Sequence, residues 1–570
     1  MANGFGNMYI GASGLQSAQN ALNTTANNLA NVNTKGYVRQ QVVFSDRTYD
    51  PLKIGIDVNL QQSGLGVTIG DVVHARDIFL DKAYRLETGR NAFYEACYET
   101  TTYVEDLLQE LDGEEFKTSV EDLWRSFQEL AKTPADSVTQ NLVLQKSELL
   151  LSRAQTLYDD LKEYQMNIDM QIREDIDRVN EIGQRIYELN MEIQRVESNR
   201  VETAMTLRDE RDRLIDELCT YANITTQEDQ NGYMYVTMEG TDFVYESGYH
   251  AIEVHRANLT GFSTPYWSHL SDPSKDIYTK VFNLDVPIAS EMNTDVGTIK
   301  AKMLMRGNDY GIYSDLLTAE GYKGVQDEVV METEAQVDLL IHEIVTAVND
   351  AMCPNIDYTV QNDVYDADGN LLFAAGSQIQ ILDEVNCARG VDGTLPPQEV
   401  FVRQGKERYT TYEIDGKTVY VFNPEDPKDG NSIYHLTNLE VNTNLKKVIT
   451  MFPAYTENKA VDFGLAERLV NIWEKQGMHI NPSDQYPCTF QDFYDKMISK
   501  IGTDGSVYKS STDTLYSTTA SLENSRQQVM GVSSDEELAK LIKYQAAYNA
   551  SSRYMTVISQ MTELIVTGLI

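Results

Sequence analysis

The residues best suited to chemistry are few, and each lacks a partner that its chemistry requires. His342-Glu343 opens like the helix of a zinc hydrolase, but Thr346 stands four places on, so that face offers one imidazole instead of two. Asp366, Asp368 and Gly369 have the spacing of a calcium loop, yet Val364 and Ala375 occupy its first and twelfth positions, so a turn is expected. Gly64, Gly66 and Gly70 miss the spacing that lets a backbone approach a pyrophosphate, and no βαβ pattern follows; they read as bends beside a strand over Val67 to Val73. Cys97, Cys219, Cys353, Cys387 and Cys488 are scattered without CxxC spacing, which indicates neither a zinc site nor a disulfide framework. With seven histidines and no GxSxG, no set of nucleophile, base and oxyanion hole can be assembled. The expectation is a protein with no catalytic residues, no metal ligands and no cofactor, and hence not an enzyme.

The elements around these residues say more. At 570 residues the chain exceeds one hydrophobic core, so roughly three or four domains are expected. Hydrophobic residues are 42% and charged residues 24%, the balance of a folded globular protein. The 47 Lys plus Arg against 87 Asp plus Glu leave a formal charge of -40, which repels phosphates and argues against nucleic acid as a partner. Met1 to Ile10 lacks the basic flank and apolar run of a signal peptide, and no stretch approaches the ~18 apolar residues of a membrane span. Export, if it occurs, uses another route and no membrane insertion.

At the N-terminus Met8, Leu15, Leu22 and Leu29 recur every seventh residue, with Gly11, Ala18, Thr25 and Val32 between them, which is a heptad seam. Its polar neighbours Ser13, Gln16, Asn20 and Asn23 make the helix weak until it finds a partner. From Ser534 to Ile570 a second seam runs through Leu538, Leu541, Gln545, Tyr548, Met555, Ile558 and Ile565, opened by a capping box of Ser534 and Glu537. Two seams at opposite ends fit a coiled coil between the termini, or separate packing of each on its own core.

Between them, Gln140 to Glu217 has no Pro and almost no Gly, and Val179, Ile182, Ile186, Leu189, Ile193 and Val196 step by three and four, predicting a long bundle helix. A second helical stretch covers about Thr318 to Asn349. Tyr233 to Tyr245, Thr411 to Phe422 and Gln378 to Leu382 alternate as strands. Asp368-Gly369-Asn370, Asp392-Gly393 and Asp415-Gly416 are expected hairpin turns, and Pro396, Pro397, Pro424 and Pro427 mark loops.

The segment Ala21-Leu22-Asn23-Thr24-Thr25-Ala26-Asn27-Asn28-Leu29-Ala30-Asn31-Val32-Asn33-Thr34-Lys35-Gly36-Tyr37 resembles the N-terminal signature of flagellar rod, hook and hook-associated proteins. Lys543 to Arg553 is similar to the terminal helix motif of the same family. Tyr37-Val38-Arg39-Gln40, Arg76-Asp77-Ile78-Phe79-Leu80, Leu207 to Leu214, and Phe490 to Tyr494 followed by Ile501-Gly502 are most similar to the hook-associated branch found at the hook-filament junction. The similarity covers roughly residues 5 to 245 and 485 to 570.

The resemblance implies a structural protein of the bacterial flagellum, extracellular, exported without a cleavable signal peptide, and self-assembling as a homo-oligomeric ring through its terminal helices. Implied partners are the hook protein, a second junction protein on the filament side, and an export chaperone on the C-terminal helix. The expected fold class is a multidomain α+β protein: a terminal coiled coil (1-50 with 525-570), a helical bundle (51-218 with 295-352 and 455-524), a β-rich domain (219-294) and an inserted outer β-rich domain (353-454). Expected assembly residues are Met8, Leu15, Leu22, Leu29, Leu541, Tyr548, Met555, Ile558 and Ile565, with family-motif residues Asn28, Asn31, Asn33, Gly36, Tyr37 and Arg39. The alternatives are a hook or rod subunit or, from another class, an axial protein with an enzymatic insert.

Overall fold

The computed structural model describes residues 2–34, 36–46, 66–109, 116–198, 203–366, 370–426 and 429–568. Lys35 and Gly64 of the motifs, Asp368 and Gly369 of the rejected calcium loop, and Pro427 lie outside the described residues. The fold is mixed α+β and multidomain. Its described helices are α1 (Ala2–Ala30), α2 (Ile78–Gln109), α3 (Phe116–Lys132), α4 (Ser137–Glu197), α5 (Met205–Tyr221), α6 (Thr298–Arg306), α7 (Ala319–Lys323), α8 (Val329–Met352), α9 (Thr443–Lys447), α10 (Phe463–Glu474), α11 (Phe490–Met530) and α12 (Ser534–Thr567).

The long helix starts where Asp136 accepts a hydrogen bond from the Val138 amide, a side-chain cap that satisfies one of the first free N–H groups. It buries Val179, Ile182, Ile186, Leu189 and Ile193, the stripe its three- and four-residue steps define. The expected run to Glu217 is broken at Glu197: α5 turns back along α4, tied by Arg185–Glu210 at 2.9 Å and Arg178–Glu217 at 2.8 Å. The stretch Thr318 to Asn349 likewise divides, α7 ending at Lys323 and α8 beginning at Val329. Helix α8 buries Val330, Ala335, Val337, Leu340, Ile341 and Ile344 on all sides, as a helix through the centre of a core must. Helices α2 and α11 run antiparallel for their whole length, from Tyr494–Leu108 (2.6 Å) at one end to Arg526–Asp81 (2.8 Å) at the other.

The strands form small antiparallel sheets. β1 (Gln40–Asp46) pairs with β2 (Val67–His74) beside the terminal helices. β3 (Ile224–Glu228), β4 (Met234–Met238), β5 (Thr241–Tyr245) and β6 (Gly248–Tyr249) make one sheet, and β7 (Ile252–Arg256) pairs with β8 (Ser263–Trp267). Both lie on α4: Asn190 donates to the Met234 carbonyl at 2.9 Å, and Asn180 to that of Ile252 at 2.9 Å.

In the middle of the chain come β9 (Asn355–Thr359), β10 (Val364–Tyr365), β11 (Leu371–Phe373), β12 (Gln378–Leu382), β13 (Phe401–Arg403), β14 (Tyr409–Ile414), β15 (Lys417–Phe422) and β16 (Leu439–Val441). A four-stranded sheet of order β14-β15-β12-β9 carries its own small core of Val360, Ile381, Ile414, Val419 and Val421. Asp415 and Gly416 (φ 50° and 76°) close β14 onto β15, the two positive φ values that a tight hairpin turn needs. Asp392-Gly393 instead turns within a loop, the Gly393 amide bonding the Gly390 carbonyl at 3.0 Å, and no hairpin forms there.

The expected outer unit 353-454 does not have one core. Phe401, Ile433, Tyr434, Leu436, Leu439, Val441 and Leu445 belong to the main core with α4 and α8; the four-stranded sheet has a separate small core and joins the main one at its base through Leu382 and Tyr409. Asp338 on α8 fastens the return segment, accepting from the Leu436 amide at 2.9 Å and contacting His435 at 2.8 Å.

Candidate assembly interface

Helices α1 and α12 pack antiparallel over most of their length. Gly14 faces Ser551 while Asn28, two heptads on, faces Glu537. A Cβ added at Gly11 would meet Met555 Sδ at 2.7 Å, and one at Gly14 would meet Ser551 Oγ at 3.0 Å. The side of α1 that is buried is therefore the small one: Gly11, Ala18, Ala21, Thr25 and Asn28. Facing it on α12 are Leu541, Tyr544, Tyr548, Ser551, Met555 and Ile558, of which Ile558 is buried and the others half-buried.

Of the residues expected at the seam, Leu541, Tyr548, Met555 and Ile558 lie in it. Met8, Leu15, Leu22 and Leu29 flank it, half-buried along one border. Ile565 is exposed, together with Tyr554, Val557, Met561 and Leu564, which step by three and four along a second side of α12.

The motif residues converge where α1 ends. Asn28 is 1% exposed and has all its hydrogen-bonding capacity filled. Its Nδ2 donates to the Gln40 carbonyl (2.9 Å) and to Glu537 Oε2 (3.0 Å), while its Oδ1 accepts from the Tyr37 hydroxyl (2.8 Å) and the Gln40 amide (3.0 Å). Glu537, also 1% exposed, takes Lys540 as its counterion at 2.7 Å. Burial, with Asp209 and Glu537 nearby, pushes the Tyr37 phenol up to about 12, so it stays a donor.

The remaining motif residues shape this corner. Arg39 reaches Glu536 at 3.1 Å, and its amide bonds the Met530 carbonyl at 2.8 Å. Asn31 bonds Asn27, Asn33 is exposed, and Gly36 takes φ 83°, which favours glycine. Glu537 is the residue that sequence reasoning missed: it reads as the third position of a capping box, whereas Ser533 supplies the cap to the Glu536 amide.

Below this corner three arginines and three aspartates bind the terminal pair's stem to the helical core. Arg526 on α11 donates to Asp81 on α2 (2.8 Å) and Asp216 on α5 (2.7 Å), with its guanidinium 4.1 Å over the Tyr84 ring. Arg85 also binds Asp216 (2.6 Å), and Arg76 binds Asp81 (2.8 Å) and Asp212. Burial raises the Asp216 carboxyl, but Arg85 and Arg526 outweigh it and hold it below the usual carboxylate range. Beside them His74 Nε2 lies 3.3 Å from Asp209, burial pushing the imidazole down to about 4 and the carboxyl up to about 7. The Arg76 to Leu80 and Leu207 to Leu214 motifs thus meet in one charged joint.

The residues weighed for catalysis have structural partners. His342 stacks on Tyr313 (3.9 Å between ring centroids) and binds Glu425 at 3.1 Å; burial opposes its charge, but Glu343 and Glu425 hold it up at about 9. Asp366 accepts from the Asn370 amide at 2.7 Å. The five cysteines are free and buried. Among the described residues no cluster of three His, Cys, Asp or Glu could hold a metal ion, and no helix is long and apolar enough to cross a membrane.

Three family descriptions match the chain: "Flagellar hook-associated protein FlgK helical domain" over residues 101–363, "Flagella basal body rod protein" over 8–37 and "Flagellar basal body rod FlgEFG protein C-terminal" over 525–567. The chain is 23% identical to flagellar hook-associated protein 1 of Bacillus subtilis, covering 97% of this chain and 96% of that one. It is 22% identical to the Salmonella typhimurium protein of the same name, covering 95% and 96%. The solved flagellar hook junction protein FlgK from Burkholderia pseudomallei shares the fold at a TM-score of 0.50 and 10% identity, over 78% of this chain and 100% of that one. With its helical domain and both terminal segments matched, and with relatives of that name matched over 95–97% of its length, the chain belongs to the flagellar hook-associated protein 1 family, structural proteins of the bacterial flagellum.

Proposed function

We propose that this chain links hook to filament, assembling as a ring of copies through its paired terminal helices. The observation that carries the reading is the surface the pair leaves open. Leu15, Leu22 and Leu29 stay half-buried, and Tyr554, Val557, Met561, Leu564 and Ile565 are exposed, Leu564 by 72%. Apolar side chains left open in this way are costly to a monomer, and each methylene covered on assembly contributes on the order of 0.8 kcal/mol. The relatives are named for hook association and the solved structure for the hook junction, which supports the same site of action. The 61-residue α4 favours this reading over a hook or rod subunit.

The partners are the hook protein on one side and a second junction protein on the other. The chain leaves the cell unfolded by the flagellar export route, with a chaperone on Leu541, Tyr548 and Met555. These side chains face α1, so chaperone and α1 compete for one surface. The domain division is the terminal pair, the helical core, the β3 to β8 region on α4, and an outer unit reduced to the four-stranded sheet. Purified chain added to hooks isolated from cells lacking it tests the reading. Capping of distal hook ends is expected; binding along the sides or none at all rules it out.

A further inference from the structure

We infer that the buried pair Asn28 and Glu537 sets the register in which α1 recognises α12, acting as a specificity determinant and not chiefly as a source of stability. The inference rests on pairing within one chain and is independent of the junction reading.

The rest of the seam discriminates poorly between registers. On α1 the seam positions are small and repeat every seventh residue: buried Gly11, Ala18 and Thr25 in one row, half-buried Gly14 and buried Ala21 in the other. On α12 the facing rows also repeat by sevens, Leu541, Tyr548 and Met555 beside Tyr544, Ser551 and Ile558. Sliding one helix by a heptad sets small residues against large ones again; one slide brings the Ala18 Cβ against Met555, a crowding that the flexible thioether side chain can relieve, so packing alone selects the register weakly.

The polar pair does not survive that slide. One heptad one way brings Glu537 opposite Ala21, where no donor replaces the Asn28 amide; one heptad the other way brings Asn28 opposite Tyr544. Either register leaves a buried polar group without its partner, and such a group costs more when orphaned than it contributes when paired. The pair is also anchored outside the seam. Tyr37 and Gln40 fill the other valences of Asn28, and Lys540 the other oxygen of Glu537. Only one register thus joins α1, the start of β1 and α12 in a satisfied network, a use of buried polar groups well attested in coiled coils.

Cysteine cross-linking of the full-length chain under mild oxidation reads the register directly, because the five native cysteines are buried. A Cβ at Gly14 lies 3.7 Å from that of Ser551, within disulfide reach, so Gly14→Cys with Ser551→Cys reports the native register. Gly14→Cys with Tyr544→Cys or with Ile558→Cys reports the two slipped ones. With Asn28 and Glu537 intact, the native cross-link should exceed either slipped one by at least about tenfold. Asn28→Leu with Glu537→Leu should bring slipped products to comparable yield while helix content is kept. Glu537→Gln, which still accepts from Asn28, should restore the single register. If the double leucine variant keeps the native register alone, or all cross-links fall together at an unchanged ratio, the pair is only a stabilising contact and the inference is overturned.

Discussion

Gly11 and Met555 meet so closely that the missing side chain of the one makes room for the thioether of the other, a Cβ at Gly11 falling 2.7 Å from Met555 Sδ. Overpacking here costs about 1–3 kcal/mol and is borne by the helix pair alone. Gly11→Leu should leave the helical core's melting unchanged and abolish filament growth. Circular dichroism of the purified variant beside electron microscopy of the cells checks both halves; normal filaments would mean that the close approach is not needed.

Arg526 holds two aspartates on two other helices, each shared with a second arginine (Arg76 on Asp81, Arg85 on Asp216), so its loss weakens both contacts and cuts the link from α11 to α2 and α5. Arg526→Ala should destabilise the chain by about 1.5–3 kcal/mol, the range for lost hydrogen bonds to charged groups, because Arg76 and Arg85 still neutralise the two carboxylates. Arg526→Lys should recover only part of this, since one ammonium cannot reproduce the fork that spans Asp81 and Asp216. The Asp216 carboxyl is held below its unfolded value of 3.8, so the stability it contributes is full above that pH and is lost as pH falls through the lower folded value. Urea unfolding of wild type and both variants at neutral and acid pH measures the ranking.

Glu399 gives the opposite pH dependence. Burial raises its carboxyl from 4.5 to about 7, and the folded chain keeps it protonated beside Tyr434 (2.9 Å) and Asn349 (3.1 Å). Between those values the unfolded chain binds fewer protons, so stability is full below 4.5 and falls as pH rises through about 7. Glu399→Gln should flatten this loss and raise stability at pH 8 by roughly 1–3 kcal/mol, which thermal unfolding across pH 5 to 8 would register.

Much of this architecture is legible in the amino-acid order, and the rest is hidden for identifiable reasons. The stripe Val179 to Ile193 defines α4 because helix period and burial coincide there. On α1 two stripes share the heptad period, the leucines and the small residues, and periodicity alone cannot say which one faces α12. Hydrophobic size favours the leucines; close approach at Gly11 decides for the small side. Glu537 is obscured because Ser534 three places earlier imitates a capping box. The Arg526–Asp81 contact spans 445 residues, and nothing local to either residue announces it. Residues 432 to 454 carry one short strand, β16, and short helical turns whose burial comes from α4 and α8, so they read as part of an outer insert.

That correction changes what a deletion should do. Removing 357 to 441 takes Leu436, Leu439 and Val441 out of the main core and should unfold it. A lesion confined to the small sheet is the sharper probe. Ile381→Asp, in a core of five buried side chains, should cost at least ~2–5 kcal/mol there and melt that sheet, leaving the main transition in place and filaments able to grow. Limited proteolysis cutting only within 355 to 422, with swimming retained, is the expected result.

The most direct test of the account is deletion of the gene with complementation by the intact chain. Without it, cells should carry hooks that bear no filament and should shed unpolymerised filament subunits into the medium, and the intact gene should restore filaments. Normal filaments in the deletion strain would contradict a structural role at the junction.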